Sequence, residues 1–191
     1  MRQFAEASRY LIPAFWLIWL AIWIAASARV KRAQSREPAR SAILNRAPVL
    51  IGAAMLAAPQ WLPAALTHRF LTGATPPAIG TLLVFAGLAF AVWARWHLGR
   101  NWSSAVVVKE GHSLIRSGPY RLVRHPIYSG MVLALFATAL AIGEARGFIG
   151  AGLILFGFIV KLRAEEERMH ETFPEYDDYA RHTARLVPGV F

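Results

Sequence analysis

The sequence contains no cysteine. That excludes disulfide staples, thiolate-bound zinc or iron–sulfur clusters and a cysteine nucleophile, and it leaves the redox compartment open. Acidic residues are scarce: 11 Asp and Glu stand against 21 Lys and Arg, for a formal net charge of +10. The six histidines include no pair at metal-binding helical spacing, so no metal site is expected. What the chain has in quantity is apolar surface, at 56% of 191 residues and a mean hydropathy of +0.39. Such a composition argues against a disordered chain and against an ordinary soluble domain. The length suits one domain or one bundle. No internal repeat or low-complexity tract interrupts it.

Five apolar runs approach the roughly twenty helical residues needed to cross a hydrocarbon core of about 30 Å. They are Tyr10–Ala28, Ala47–Leu66, Pro76–Ala94, Pro126–Gly143 and Gly147–Leu162, the last two being short. The expected fold is therefore all-α, a polytopic helical bundle forming a single membrane domain over 1–191. Residues 95–125 form a loop and residues 163–191 a helical tail. A cleavable leader is a competing reading of the first run, since Ala26-Ser27-Ala28 resembles a cleavage site. The run is longer than a leader's apolar core and a basic cluster follows at once, so a retained helix is expected.

The cations explain the net charge without nucleic acid. Arg29, Lys31, Arg32, Arg36, Arg40 and Arg46 follow the first run, and Arg95, Arg100, Lys109, Arg116, Arg121 and Arg124 follow the third. Lys161, Arg163, Arg168, Arg181 and Arg185 follow the fifth, whereas the second and fourth connections carry only Arg69 and Arg146. The positive-inside rule then puts the N-terminus outside and the C-terminus in the cytoplasm. Within the third connection, Val106–Ile115 reads either as two short extended pieces around Glu110-Gly111 or as a plain loop.

Chemistry gathers at the last hairpin. Gly143-Glu144-Ala145-Arg146-Gly147 is too short to let its flanking helices be anything but antiparallel neighbours. Counting back about seventeen residues on each side, roughly 25 Å, brings Arg124-His125-Pro126 level with Lys161–Glu166. Pro126 suits the first helical turn, whose free amides can hold an anion, and Ser117-Gly118-Pro119-Tyr120 reads as a turn leading to it. The tail holds seven of the eleven acidic residues, and Thr172-Phe173-Pro174-Glu175 has the form of a capping box starting a new helix. Phe173, Tyr176, Tyr179 and Thr183 then share one face. Each feature has a plain alternative: Arg116, Arg121 and Arg124 as topology markers, His125 as a cap, Glu165-Glu166-Glu167 as a solvated face. Carboxylates near the end of a membrane helix nonetheless tend to have a partner or a task. Trp16, Trp19 and Trp23 form a stripe better suited to lipid or packing than to a ligand cage. Ala134, Thr138 and Ala141, and Gly147 with Ala151, suit close helix packing.

The run Gly118-Pro119-Tyr120-Arg121-Leu122-Val123-Arg124-His125-Pro126-Ile127-Tyr128-Ser129-Gly130 resembles the signature of the isoprenylcysteine carboxyl methyltransferase family and its phospholipid-methyltransferase relatives. Glu165-Glu166-Glu167, Phe173, Tyr176, Tyr179 and Val187-Pro188 resemble that family's second element, and Leu98–Ser103 its bacterial members. The resemblance spans about half the chain. It implies an integral membrane enzyme, in a bacterial inner membrane, that uses S-adenosylmethionine at the cytoplasmic face to methylate a lipophilic acceptor. It also implies Tyr120, Arg124, His125, Pro126, Tyr128, Gly130, Glu165 and Glu166 as cofactor-pocket residues, with Glu165, His125 and Arg124 as catalytic candidates. Glu165 is favoured as the main acid because Lys161 lies one turn earlier, with the register among the three glutamates open by one. His182 and Ala184 depart from the usual arginine and proline, which bears on the acceptor more than on the cofactor. Two alternatives stand beside this reading. Sterol reductases carry a similar Arg-His-Pro-x-Tyr-x-Gly stretch with NADPH but need more helices, and a scaffold on anionic lipid would leave the acid cluster unexplained.

Overall fold

A computed structural model describes residues 2–27, 39–57, 61–99 and 114–190, with the backbone alone over 39–45. The architecture is all-helical. Its elements are α1 (Arg2–Ser27), α2 (Ala39–Ala57), the short α3 (Ala64–Thr67), α4 (Thr75–Leu98), a 3-10 turn (Gly118–Arg121), α5 (Pro126–Ile142), α6 (Ala145–Thr172) and α7 (Tyr176–His182). Among the described residues the only β-type pairings are two isolated bridges, Arg69 with Glu144 and Val123 with Ala184. Among the described residues three helices, α1, α4 and α6, are long and apolar enough to cross a membrane; Arg46–Ala57 and α5 are shorter apolar helices.

Helix contacts run in the order α1–α4–α5–α6–α2, which puts α5 and α6 inside the row. Small residues set the closest crossings. A Cβ on Gly87 would lie 2.5 Å from the Gly130 carbonyl oxygen, and one on Gly130 would lie 2.4 Å from that of Gly87. The α4 and α5 backbones therefore touch, with Ala91 and Ala134 buried on either side. Apolar side chains close the remaining space, with Ile12, Val84, Leu88 and Ala137 in one core group and Leu135, Ala151, Ile154 and Phe158 in another. The tryptophan stripe packs: Trp16 donates to the Thr138 hydroxyl at 3.1 Å, and Trp19 stacks on Trp23.

The α5–α6 hairpin is as tight as its sequence requires. Gly143 ends α5 in the left-handed region (φ 69°), and Glu144 precedes α6 in extended conformation. Arg146 reinforces the turn. It donates to Glu144 at 2.6 Å and to the carbonyls of Met55 and Leu56 at 2.6 and 2.9 Å, capping the C-terminal end of α2.

Several boundaries differ from the sequence expectation. The second run is helical earlier than expected, from Ala39, and within Ala47–Leu66 the described residues form two helices, α2 to Ala57 and the short α3, with Pro63 at the N-cap of α3. The fifth run continues without a break into the expected helical tail. Lys161, Arg163, Ala164 and the glutamates are good helix formers with an i,i+4 ion pair between Lys161 and Glu165, so α6 continues to Thr172. Thr172 closes that helix rather than capping the next, and α7 begins at Tyr176 without a side-chain cap. After His182 the tail is no longer helical. The Glu110-Gly111 turn lies outside the described residues.

Candidate active site

Proline dictates the entrance to α5. It occupies the first helical position, and His125 before it takes φ −124°, ψ 61°, outside the helical region. The ring of His125 and the side chain of Arg124 are thereby turned towards the far half of α6. The hairpin brings these ends together, as its loop length requires.

Glu166 is the hub. It is 5% exposed and lies past the apolar stretch of α6. Its Oε1 accepts from Arg124 Nε at 2.8 Å and meets His125 Nε2 at 3.1 Å, while Oε2 pairs with Arg185 Nη2 at 2.6 Å. Burial alone would raise the pKa of this carboxyl. The hydrogen bonds from His125, Arg124 and Arg185 outweigh it and hold the group well below the usual carboxylate range. Arg124 is further fixed by donating to the carbonyls of Ala180, at 2.9 Å, and Thr183.

The tail is strapped across the same entrance. Arg124 N–H donates to Ala184 O at 2.8 Å and His125 N–H to Arg185 O at 3.1 Å. Ser129 Oγ donates to Leu186 O at 2.6 Å. Tyr179 donates its hydroxyl to Tyr120 O at 2.5 Å, and burial pushes that phenol up to about 12 against the pull of Arg124 and Arg116. Tyr176 is buried beside it. Tyr120 is buried too, and its ring lies over His97, whose Nε2 is 2.9 Å from the Ser117 hydroxyl.

Glu165 points elsewhere. Its Oε1 accepts the Tyr128 hydroxyl at 2.9 Å and lies 3.7 Å from Lys161 Nζ. Its side chain is 21% exposed, and Oε2 has no protein partner among the described residues. Tyr128 in turn packs edge-on to Phe158 and to His125, with Lys161 Nζ 5.9 Å from the centre of its ring.

The eight sequence candidates thus separate by what they touch. Arg124, His125 and Glu166 form one network; Tyr128 and Glu165 form a second beside it; Pro126 starts α5 between them. Tyr120 lies towards α4, and Gly130 faces Gly87 across the helix crossing. Arg185 and Ser129 complete the first network without having been singled out in the sequence. Their partners lie 19 and 57 residues away, and no local pattern marks such pairs. His182 is exposed and bonds within α7, away from Glu166.

Residues 78–171 match the model of the Isoprenylcysteine carboxyl methyltransferase (ICMT) family. Over that stretch the chain resembles the isoprenylcysteine carboxyl methyltransferase family. A probable protein-S-isoprenylcysteine O-methyltransferase of Oryza sativa subsp. indica is 29% identical over 116 residues, covering 59% of this chain and 61% of the rice protein. The nickel-cobalt-cadmium resistance protein NccN of Alcaligenes xylosoxydans xylosoxydans is 28% identical over 99 residues, 49% of this chain and 45% of that one. Protein-S-isoprenylcysteine O-methyltransferase A of Arabidopsis thaliana is 25% identical over 115 residues, 58% of each chain. The chain therefore spans about half the length of the curated relatives it matches. The matched stretch takes in most of α4, all of α5 and nearly all of α6, and with them all eight candidates; α7 and Arg185 follow it.

Proposed function

We propose that this protein is a membrane methyltransferase that uses S-adenosylmethionine and acts on a lipophilic acceptor. The observation that carries the reading is the seam between the α5 entrance and α6, where a helix N-terminus, an imidazole, a phenol and a half-buried glutamate stand together within the family stretch. In this reading five helices span, with the N-terminus outside and the seam at the cytoplasmic face, on the strength of the basic loops.

The donor set suits an amino-acid zwitterion. Glu165, with its Oε2 unengaged, is the group to hold an ammonium or a ribose hydroxyl. The first-turn amides of α5 are the group to hold a carboxylate. Arg124 is a weaker choice for that carboxylate because Glu166 and two tail carbonyls already occupy it. Arg124, Glu166 and Arg185 instead position the α5 entrance and keep the tail in place. Bound at the seam, S-adenosylmethionine would supply a methyl group already activated on a sulfonium, so no protein nucleophile is required.

The remaining work falls to orientation and water exclusion. Tyr128 and Phe158 give the seam an apolar wall, and charge neutralised during transfer is favoured in a dry setting. A carboxylate acceptor needs no general base at neutral pH. For a thiol, phenol or amine acceptor, Glu165 or His125 takes the proton.

Purified protein incubated with methyl-labelled S-adenosylmethionine and a membrane lipid extract should transfer label to an extractable lipid or small hydrophobic molecule. Titration calorimetry should show S-adenosylmethionine binding and no NADPH binding. Heat on NADPH addition with none on S-adenosylmethionine addition overturns the reading in favour of a reductase.

A further inference from the structure

The opposite end of the bundle carries a second feature that the methyltransferase reading leaves unused. Helix α5 is 17 residues long, so Thr138, Ala141 and Ile142 lie up to about 25 Å from His125 along its axis. These residues line an open cleft of about 640 Å³, bordered also by the start of α1, Leu56 of α2 and the segment leading into α4. That volume lies within the usual range of about 300–1,000 Å³ for small-molecule sites.

Three arginines border the cavity, Arg2, Arg9 and Arg69, against one carboxylate, Glu6. Arg2 and Arg9 are two helical turns apart and so share a face of α1. Arg69 is anchored by donating Nε to the Ile142 carbonyl at 3.0 Å. Among the described residues none of the three forms an ion pair with a carboxylate. Arg146, the other cation at this end, shows the contrast: Glu144 and two α2 carbonyls satisfy it. The rest of the lining is mainly apolar and includes the buried Ile12 and the partly buried Leu56. A cationic rim over an apolar wall, at the end where loop cations are few, matches an amphiphile with an anionic head.

We infer that this cavity binds one anionic phospholipid, its phosphodiester held by Arg2, Arg9 and Arg69 and its acyl chain lying against Ile12 and Leu56. The excess of three cations over one carboxylate favours a head group of net negative charge over a zwitterionic one, whose ammonium the arginines repel. The surrounding membrane supplies the ligand.

The test uses the full chain purified in detergent, titrated with phosphatidylglycerol or phosphatidylcholine and read by native mass spectrometry. Phosphatidylglycerol should bind with one-to-one stoichiometry and phosphatidylcholine much more weakly. Arg2→Gln with Arg9→Gln disturbs no backbone hydrogen bond and should weaken phosphatidylglycerol about 25-fold, at about fivefold per lost cation. Arg2→Lys with Arg9→Lys should keep most of the affinity, which separates loss of charge from loss of fold. Equal binding of the two lipids, or wild-type affinity in the double glutamine variant, overturns the proposal. So does displacement of the lipid by millimolar inorganic phosphate, which would make this a site for free anions.

Discussion

Replacing Glu166 with glutamine keeps the shape of the side chain and removes the negative charge on which Arg124, His125 and Arg185 converge. The carboxylate is 7% exposed at its side chain, Arg124 is 10% exposed and Arg185 is 22% exposed, so solvent can replace little of what is lost. Removing one partner of a buried ion pair costs about 3–5 kcal/mol. Arg124 keeps its bonds to the Ala180 and Thr183 carbonyls and Arg185 is partly solvated, so the lower end, about 3 kcal/mol, is expected. In a chain of this size that corresponds to a fall in melting temperature of about 6–12 °C. The assay is thermal unfolding in detergent, with limited trypsin digestion to detect release of the tail around Arg181 and Arg185. Glu165→Gln is the companion variant. Its amide oxygen can still accept from Tyr128, so it loses only the charge on that bond and a long, half-exposed contact with Lys161, which costs about 1 kcal/mol, yet it should abolish most S-adenosylmethionine binding. The reasoning fails if E166Q melts within about 2 °C of wild type with its tail equally protected. It fails equally if E165Q retains both cofactor affinity and turnover.

The remaining expectations test other parts of the molecule. The folded-state pKa of Glu166 is depressed, so its stabilisation is complete above the ordinary glutamate value of about 4.3 and is lost as the pH falls below it. Wild-type and E166Q melting temperatures should therefore converge in acid and separate at neutral pH. Gly130→Val drives a side chain into the Gly87 carbonyl and must part α4 from α5; a loss of about 1–3 kcal/mol is expected by thermal unfolding. Arg146→Met leaves the Met55 and Leu56 carbonyls without their donor and should destabilise by about 1–3 kcal/mol, measured in the same way. The absence of cysteine makes topology directly testable. Thr72→Cys should react with a membrane-impermeant maleimide on intact cells and Val187→Cys only after permeabilisation; the reverse pattern refutes the proposed orientation.

The sequence alone determined what depends on neighbours in the chain. Run length and apolar content mark α1, α4 and α6 as helices long and apolar enough to cross a membrane, and loop charge is the basis of the proposed orientation. A five-residue connection forces α5 and α6 to lie antiparallel, so that Arg124, His125 and the glutamates must meet. The proline at residue 126 marks where α5 begins for an equally local reason. The division of labour among the glutamates was not legible. Adjacent residues on a helix point about 100° apart, and only the packing of α6 decides which of them turns inward. That packing gives Glu166 to the buried arginines and Glu165 to Tyr128, although the i,i+4 partner of Glu165, Lys161, could be named beforehand. The strap from Thr183 to Leu186 and the pairing of Arg185 with Glu166 are likewise products of the tertiary fold, because contacts between distant segments leave no periodicity in a single chain.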